Sequence, residues 1–461
     1  MQELVRNRLE GRKIIIAGFG REGRSTYHFL RRIMPLHPLT IADCNMNVAA
    51  DPEIINDDKA EILTGDNYLE NLQSFDIIFK TPGIPTAQLP DNLDRKKITS
   101  QTDVFLRLFG RQVIGITGTK GKSTTSSLVH HILKSGGRRT VFVGNIGIPP
   151  LDMAEQITPD TIVVMELSSH QLEYLTRSPH ISVLLNIFQE HLDHYNGYED
   201  YQQAKFNIGR YQETGDFFLY NSDNDLIVKH LAACKGCKHL AIPFTNSKNR
   251  NTGIFYRDSK VILDLNGEEQ TVFDDRAGHL LKGQHNLLNI MAAAASCFLA
   301  GIDEPSISKA VRTFSGLEHR IEYVGKFGGI EFYNDSIATI PEASIAAVKT
   351  LQQVDTLILG GFDRGIDYGV LYPFLAASNV NNLIFIGEAG ARMKNEFEET
   401  HLPGKSLYLA RDFNEVVEIA FRVTARDSIC LLSPAAASYD MFKNFEERGR
   451  IFKKLISEYK K

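Results

Sequence analysis

Residues 112–133 read Q-V-I-G-I-T-G-T-K-G-K-S-T-T-S-S-L-V-H-H-I-L and hold three signals in succession. An apolar run at 113–117 has the length and bounded character of a buried strand. A Gly- and Lys-rich stretch follows, and then Leu128, Val129, Ile132 and Leu133 recur at helical spacing. Strand, glycine loop and helix in that order make a phosphate cradle: loop N–H groups face an anion, the lysine reaches terminal phosphates and the serine hydroxyl suits Mg²⁺. A strict P-loop has glycine five residues before Gly121, where Ile116 stands; here the glycines fall at 115, 118 and 121. Lys122 and Ser123, the chemically active part, are kept. The alternative, a Gly-rich turn with a solvated lysine, leaves the lysine-serine pair at the helix start unexplained.

The same grammar recurs in K-I-I-I-A-G-F-G-R-E-G, T-I-V-V-M-E-L-S-S-H-Q-L-E, T-L-I-L-G-G-F-D-R-G-I-D-Y and S-I-C-L-L-S-P-A-A-A-S-Y-D. Short continuous apolar strands alternating with helices predict α/β architecture with parallel sheets, whose ligands sit at the C-terminal strand ends. At roughly 150 residues per domain, 461 residues suggest three. New strand-loop-helix units restart near residues 110 and 317, giving expected domains of 1–109, 110–316 and 317–461. A hydrophobic share of 43% with 23% charged residues describes an ordinary globular chain. A net charge of -5 argues against a general polyanion binder, and five cysteines are too few for a disulfide framework. The N-terminal apolar run, Ile14 to Ala17, is too short for a signal peptide, and Met291 to Ala300 has the length of a core helix. A cytoplasmic, monomeric protein is expected.

Three further clusters carry chemistry. Gly18, Gly20 and Gly23 follow the strand at 13–17, and Asp43 ends the next apolar run 20 residues beyond Gly23. That spacing suits a nucleotide phosphate at a helix N-terminus with a carboxylate for a ribose, without saying which nucleotide. Glu166 ends the apolar strand 162–165, where a carboxylate can meet a hard cation. A strand at 181–187 leads into Glu190-His191, where His191 gains weight because it follows a strand end, as Glu166 does. His194 reads as a core hydrogen-bonding residue, and Lys205 as a surface helix lysine. Cys234 and Cys237, with His230 and His239 nearby, lack a second C-x-x-C pair and read as incidental rather than zinc-binding.

Motifs in order over nearly the whole chain resemble the Mur ligase family. They are G-T-K-G-K-S-T (118–124), G-N-I-G (144–147), E-L-S-S-H-Q-L-E (166–173), A-K-F-N-I (204–208) and G-Q-H-N-L-L-N (283–289). F-S-G-L-E-H-R (314–320), N-D-S-I-A-T (334–339) and L-S-P-A-A-A-S-Y-D-M-F-K-N-F-E-E-R-G (432–449) complete the series. The last, with E-L-S-S-x-Q-L-E, is similar to the D-glutamate-adding branch. The resemblance implies a Rossmann-like N-terminal domain, a central P-loop-type ATPase domain and a Rossmann-like C-terminal domain. It implies a cytoplasmic ligase of peptidoglycan precursor synthesis, an activity tied to cell wall biogenesis and cell division. ATP would phosphorylate the carboxylate of UDP-N-acetylmuramoyl-L-alanine, and the amine of D-glutamate would attack the acyl phosphate.

Carried over by position, Gly118, Thr119, Lys120, Gly121, Lys122, Ser123 and Thr124 would hold the ATP phosphates. Asn286 and Asn289 would face adenine, Asp335 the ribose and Arg320 the γ-phosphate. Ser123 and Glu166 would share one Mg²⁺, while His191 would help hold a second together with Lys205, carbamylated into a carboxylate-like ligand. Gly18, Gly20, Gly23, Asp43, Thr81 and Gly83 would bind the UDP moiety and Asn145 the muramoyl group. Thr339, Arg364, Ser438 and Phe445 would line the D-glutamate site. Three departures from the family pattern stand out: Ile337 and Arg364 stand where lysines are common, and Phe188-Gln189 precedes Glu190-His191 where a more acidic or Thr-containing segment is common. The competing readings are a different amino-acid acceptor, a nicotinamide-dependent oxidoreductase built on the Gly18 loop and Asp43, and an ATP-gated binding module without chemistry.

Overall fold

Three sheets, each with helices on its faces, make up the chain in this computed structural model, which describes residues 2–190, 194–195, 197–233, 238–247, 252–281, 283–399 and 404–459. The first sheet contains β1 (Ile14–Ala17), β2 (Leu39–Asp43), β3 (Ala60–Thr64), β4 (Ile77–Lys80) and β5 (Ile98–Thr99) in the order β3-β2-β1-β4-β5, all parallel. All four residues of β1 are buried, so an unbroken apolar run was needed there. Removing each isoleucine from water contributes about 1.5–3 kcal/mol before chain entropy is subtracted. The strand order reverses between β1 and β4, which opens a crevice at their C-terminal ends.

The second sheet runs β14-β13-β12-β11-β10-β9-β6-β8-β7. Its strands are β6 (Val113–Thr117), β7 (Thr140–Gly144), β8 (Ile162–Glu166), β9 (Ile181–Leu184), β10 (Phe217–Asn221), β11 (Leu240–Thr245), β12 (Gly253–Arg257), β13 (Lys260–Leu265) and β14 (Glu268–Asp274). The parallel part agrees with the sequence reading. The purely parallel expectation is corrected at one edge, where β12, β13 and β14 pair antiparallel. Two-residue turns join them, with positive φ at Asp258 and Ser259 and at Asn266 and Gly267, the backbone that lets strand twist continue through a tight hairpin. The helix Lys122–Ser135 buries Leu128, Val129, Ile132 and Leu133 completely, as their spacing required.

The third sheet contains β15 (Glu322–Phe327), β16 (Ile330–Asn334), β17 (Val354–Gly360), β18 (Asn382–Ile386), β19 (Ser406–Ala410) and β20 (Ile429–Leu432) in the order β15-β16-β20-β17-β18-β19. Only β15 is antiparallel to its neighbour. The first two sheets lie in one compact unit, residues 1–278 with 285–312; the third lies in another, residues 279–284 with 313–461. No helix among the described residues is long and apolar enough to cross a membrane.

Candidate active site

The loop after β6 is held in shape before any ligand arrives. Gly118 has φ +159° and Gly121 +88°, and a Cβ at Gly121 would stand 2.6 Å from the Asn289 Oδ1. That contact places Asn289 against the loop, and its Nδ2 donates to the Asn286 Oδ1 at 3.0 Å. Four residues without an assigned role in the motif series clamp the loop from the side. The Asn186 Oδ1 accepts from the Lys120 N–H at 2.8 Å, and its Nδ2 donates to the Lys120 carbonyl at 3.0 Å. The Thr119 hydroxyl meets the Tyr201 hydroxyl at 2.8 Å and accepts from the Phe188 N–H at 2.9 Å. Glu190 pairs with the Lys120 ammonium. The apolar run 181–187 forms a strand only to Leu184; the Leu185 N–H still bonds the Thr117 carbonyl, and Asn186 then turns to the loop.

Two lysines converge on this loop. The Lys122 Nζ donates to the carbonyls of Gly118 at 2.9 Å and Thr119 at 3.0 Å. The Lys205 Nζ donates to the same Gly118 carbonyl at 2.9 Å. Lys205, expected on a solvated helix face, is only 2% exposed. Burial, with the Lys122 charge adding to it, lowers the Lys205 pKa to about 7. Its place could not be read locally, since its partner lies 87 residues away.

Glu166, the last residue of β8, is wholly buried. Its Oε1 accepts from the Asn145 Nδ2 at 2.8 Å and its Oε2 from the Ser126 hydroxyl at 3.4 Å. Ser126 also donates to the Lys122 carbonyl, so the carboxylate sits under the helix turn that carries Ser123. A carboxylate with spare lone pairs beside a serine-bearing helix start fits Mg²⁺, which takes one or two protein oxygens and completes its shell with water and phosphates. His191 lies outside the described residues, as do Cys234 and Cys237. Among the described residues no group of three His, Cys, Asp or Glu side chains gathers around a metal-sized site.

At the crevice of the first sheet, Gly18 (φ +90°) packs so closely that a Cβ would lie 1.9 Å from the Thr81 Oγ1, and one at Gly23 would lie 2.0 Å from the Gly18 carbonyl oxygen. Asp43 fixes the same loop: its Oδ2 accepts from the Phe19 N–H at 2.6 Å and its Oδ1 from the Asn45 N–H at 2.8 Å. A cavity of about 360 Å³ is lined by Gly18, Gly20, Arg21, Asp43, Thr81 and Gly83 among others. The Arg21 guanidinium reaches the carbonyls of Asn145 and Gly147, both at 3.3 Å, tying this crevice to the Asn145 turn. A buried chain of charges makes a second tie. The Lys80 Nζ donates to the Glu173 Oε2 at 2.9 Å, and His194 bonds the Glu173 Oε1 at 2.7 Å. Burial pushes the Glu173 carboxyl up, but His194 and Lys80 outweigh it and hold the carboxyl low. His194 is therefore the core hydrogen-bonding residue that the sequence suggested.

In the unit containing the third sheet, β16 and β20 are neighbours, which sets Asp335 beside Ser433. The Asp335 Oδ2 accepts from the Ser433 hydroxyl at 2.7 Å and its Oδ1 from the Ile321 N–H at 3.1 Å. Burial nevertheless raises its pKa to about 6. Arg320 is exposed nearby and acts on Asp335 through its charge. The Arg364 guanidinium donates to the Thr339 carbonyl at 3.1 Å, joining two predicted site residues. Ser438 is buried, and the Phe445 carbonyl accepts from the Ser336 hydroxyl at 2.8 Å. Arg448, unremarked in the sequence, is 1% exposed and donates to the carbonyls of Ser336, Ala436 and Ala437.

Residues 116–297 match the Mur ligase middle domain. The chain is 37% identical to the UDP-N-acetylmuramoylalanine–D-glutamate ligase of Acetivibrio thermocellus, over 85% of each chain. It is 33% identical to the enzyme of that name from Clostridioides difficile, covering 98% of this chain and all of the relative. Among solved structures, it resembles the UDP-N-acetylmuramate-alanine ligase of Thermotoga maritima with a TM-score of 0.53 at 18% identity, covering 97% of this chain and 100% of that one. A MurF ligase from the same organism in complex with ADP gives 0.52 at 16% identity, covering 97% and 96%. These likenesses carry the three-domain α/β fold. The nicotinamide-dependent reading of the Gly18 loop finds no support in them. With relatives above 30% identity matched over nearly its whole length, the chain belongs to the Mur ligase family.

Proposed function

We propose that the protein is an ATP-dependent amide ligase that joins D-glutamate to UDP-N-acetylmuramoyl-L-alanine through an acyl phosphate, in peptidoglycan precursor synthesis. The observation that carries this reading is the Gly118–Ser123 loop, preset on its strand end with Lys122, Lys205 and Glu166 converging, in a chain similar end to end to ligases of that name. The domain limits 1–109, 110–316 and 317–461 go with it, each carrying one substrate at the C-terminal edge of its sheet. The protein acts as a cytoplasmic monomer.

A carboxylate at neutral pH is a poor electrophile, so the free energy of ATP creates a phosphate leaving group. Lys122 exchanges its bonds to the Gly118 and Thr119 carbonyls for the β- and γ-phosphates, and Arg320 offsets charge on the γ-phosphate. Asn286 and Asn289 meet adenine, and Asp335 the ribose. Ser123 and Glu166 would hold one Mg²⁺, and His191 with carbamylated Lys205 a second, and the bound metal would supply positive charge against the phosphates. Arg364 pairs with a carboxylate of D-glutamate beside Thr339, Ser438 and Phe445, and its planar fork can engage both oxygens. Gly18, Asp43 and Thr81 position the UDP end, and Asn145 the muramoyl end.

A coupled phosphate-release assay tests this directly. Turnover is expected only with UDP-N-acetylmuramoyl-L-alanine and D-glutamate together. Equal turnover with L-alanine, L-lysine or diaminopimelate as acceptor would assign the chain to another branch. Lys122→Ala is expected to lower kcat by about 100-fold or more; full activity in that variant would sink the mechanism.

A further inference from the structure

The first sheet carries a second cavity, at the end of its strands opposite the nucleotide crevice. Its volume is about 610 Å³, larger than the crevice cavity. Arg12 precedes β1 and Asp76 precedes β4, so the two cavities open at opposite termini of the same parallel strands. Five cations line it among the described residues: Arg8, Arg12, Lys96, Lys97 and Arg107. Against them stand one lining carboxylate, Asp76, whose Oδ2 already accepts from the Lys13 N–H, and Asp103 behind the wall, which pairs with Arg107. Such a local excess of positive charge, in a chain of net charge -5, does not follow from composition.

Two of the cations are set in place. The Arg107 Nε donates to the Thr176 hydroxyl at 2.7 Å and its Nη2 lies 2.8 Å from the Asp103 Oδ2, leaving further N–H donors on the fork. The Lys97 Nζ is anchored on the Gln73 carbonyl at 2.9 Å. Arg8, Arg12 and Lys96 are exposed at the rim. Beneath them the wall is apolar: Leu9, Phe79, Ile98 and Val104 are all buried in the fold and line the cavity.

We infer that this cavity binds an organic phosphate ester with an apolar body. Guanidinium forks match phosphate oxygens bidentately, while the apolar wall gains only from a ligand that brings carbon with it. The volume lies within the range of small-molecule sites, about 300–1,000 Å³. An extended polyanion would need a basic surface rather than a pocket of this size. The inference stands on this cavity alone and not on the ligase reading.

Isothermal titration of the full chain with n-octyl phosphate, kept below its micelle concentration, tests it. One-site binding is expected, at least ten-fold tighter than that of inorganic phosphate, weakened by salt and unaffected by saturating UDP. The double variant Arg8→Glu/Lys96→Glu is expected to weaken binding at least ten-fold with melting temperature and ligase turnover unchanged. Arg12→Glu provides an independent check should the double variant not fold. Sedimentation with phosphatidylglycerol vesicles separates the sources of the phosphate. Co-sedimentation lost in the charge-reversed protein would assign it to a lipid headgroup; octyl phosphate binding without co-sedimentation would assign it to a soluble ester. Absence of binding, displacement by UDP, or equal affinity in a folded charge-reversed variant would overturn the inference.

Discussion

Lys205 shows how a single side chain changes character with its surroundings. An ordinary lysine, with a pKa near 10.4, has about one amine in a few thousand neutral at pH 7. Here burial brings the pKa to about 7, so roughly half are neutral and able to take up CO₂. The sign is definite: the folded value lies below the unfolded one, so this group costs stability as pH falls from about 10.5 to about 7, and the cost is constant below that. Carbamylation is expected to grow as pH rises through about 7. Incubation with ¹³C-bicarbonate should then give a carbamate resonance that is absent in Lys205→Met; an unchanged spectrum in that variant would place the modification elsewhere. In bicarbonate-free buffer the same variant should gain more stability at pH 6 than at pH 10, read as the shift in urea midpoint.

At the scale of elements, Arg448 makes the buried ties of the helix Phe445–Glu458. The Arg448 Nε donates to the Ser336 hydroxyl at 2.9 Å and its terminal nitrogens reach three carbonyls on two loops, while burial lowers its pKa to about 10. Replacing it with Met leaves those acceptors unsatisfied, and a loss of about 3 kcal/mol is expected by chemical denaturation. A change under about 0.5 kcal/mol would show that water replaces the guanidinium without cost. The strands and helices around such residues were largely legible. Buried parallel strands must be apolar on both faces, so IIIA and TLILG announce themselves. The antiparallel edge β12–β14 was missed although Asn266-Gly267 is a strong hairpin signal, because β14 begins with the polar run Glu268-Glu269-Gln270. The burial of Lys205, named only through the motif resemblance, and the roles of Arg448 and Asn186 were not legible locally for a different reason. Each acts through a partner far away in sequence, and no local pattern encodes a long-range contact.

For the molecule as a whole, the net charge of -5 told little about local cations, because these are few: Lys122 and Lys205 meet at one loop, and Arg364 stands at the Thr339 carbonyl. The two compact units have separate apolar cores, one set around β1 and β6 and another around β17 and β18. Calorimetry is therefore expected to resolve more than one unfolding transition. UDP-N-acetylmuramoyl-L-alanine at about 100 times its Kd should add about 2.7 kcal/mol, mainly to the transition of the unit formed by residues 1–278 and 285–312. A single transition that coincides by circular dichroism and heat would contradict this.

The contact of Gly18 and Gly23 with Thr81 has a consequence for how such a chain can change over generations. Alanine at 18 meets the Thr81 hydroxyl and an unfavourable φ, and alanine at 23 meets the Gly18 backbone. Shortening position 81 would remove the first obstacle but neither of the others. No single replacement therefore admits a side chain at both glycines: each position is closed by a backbone constraint that the other cannot relieve.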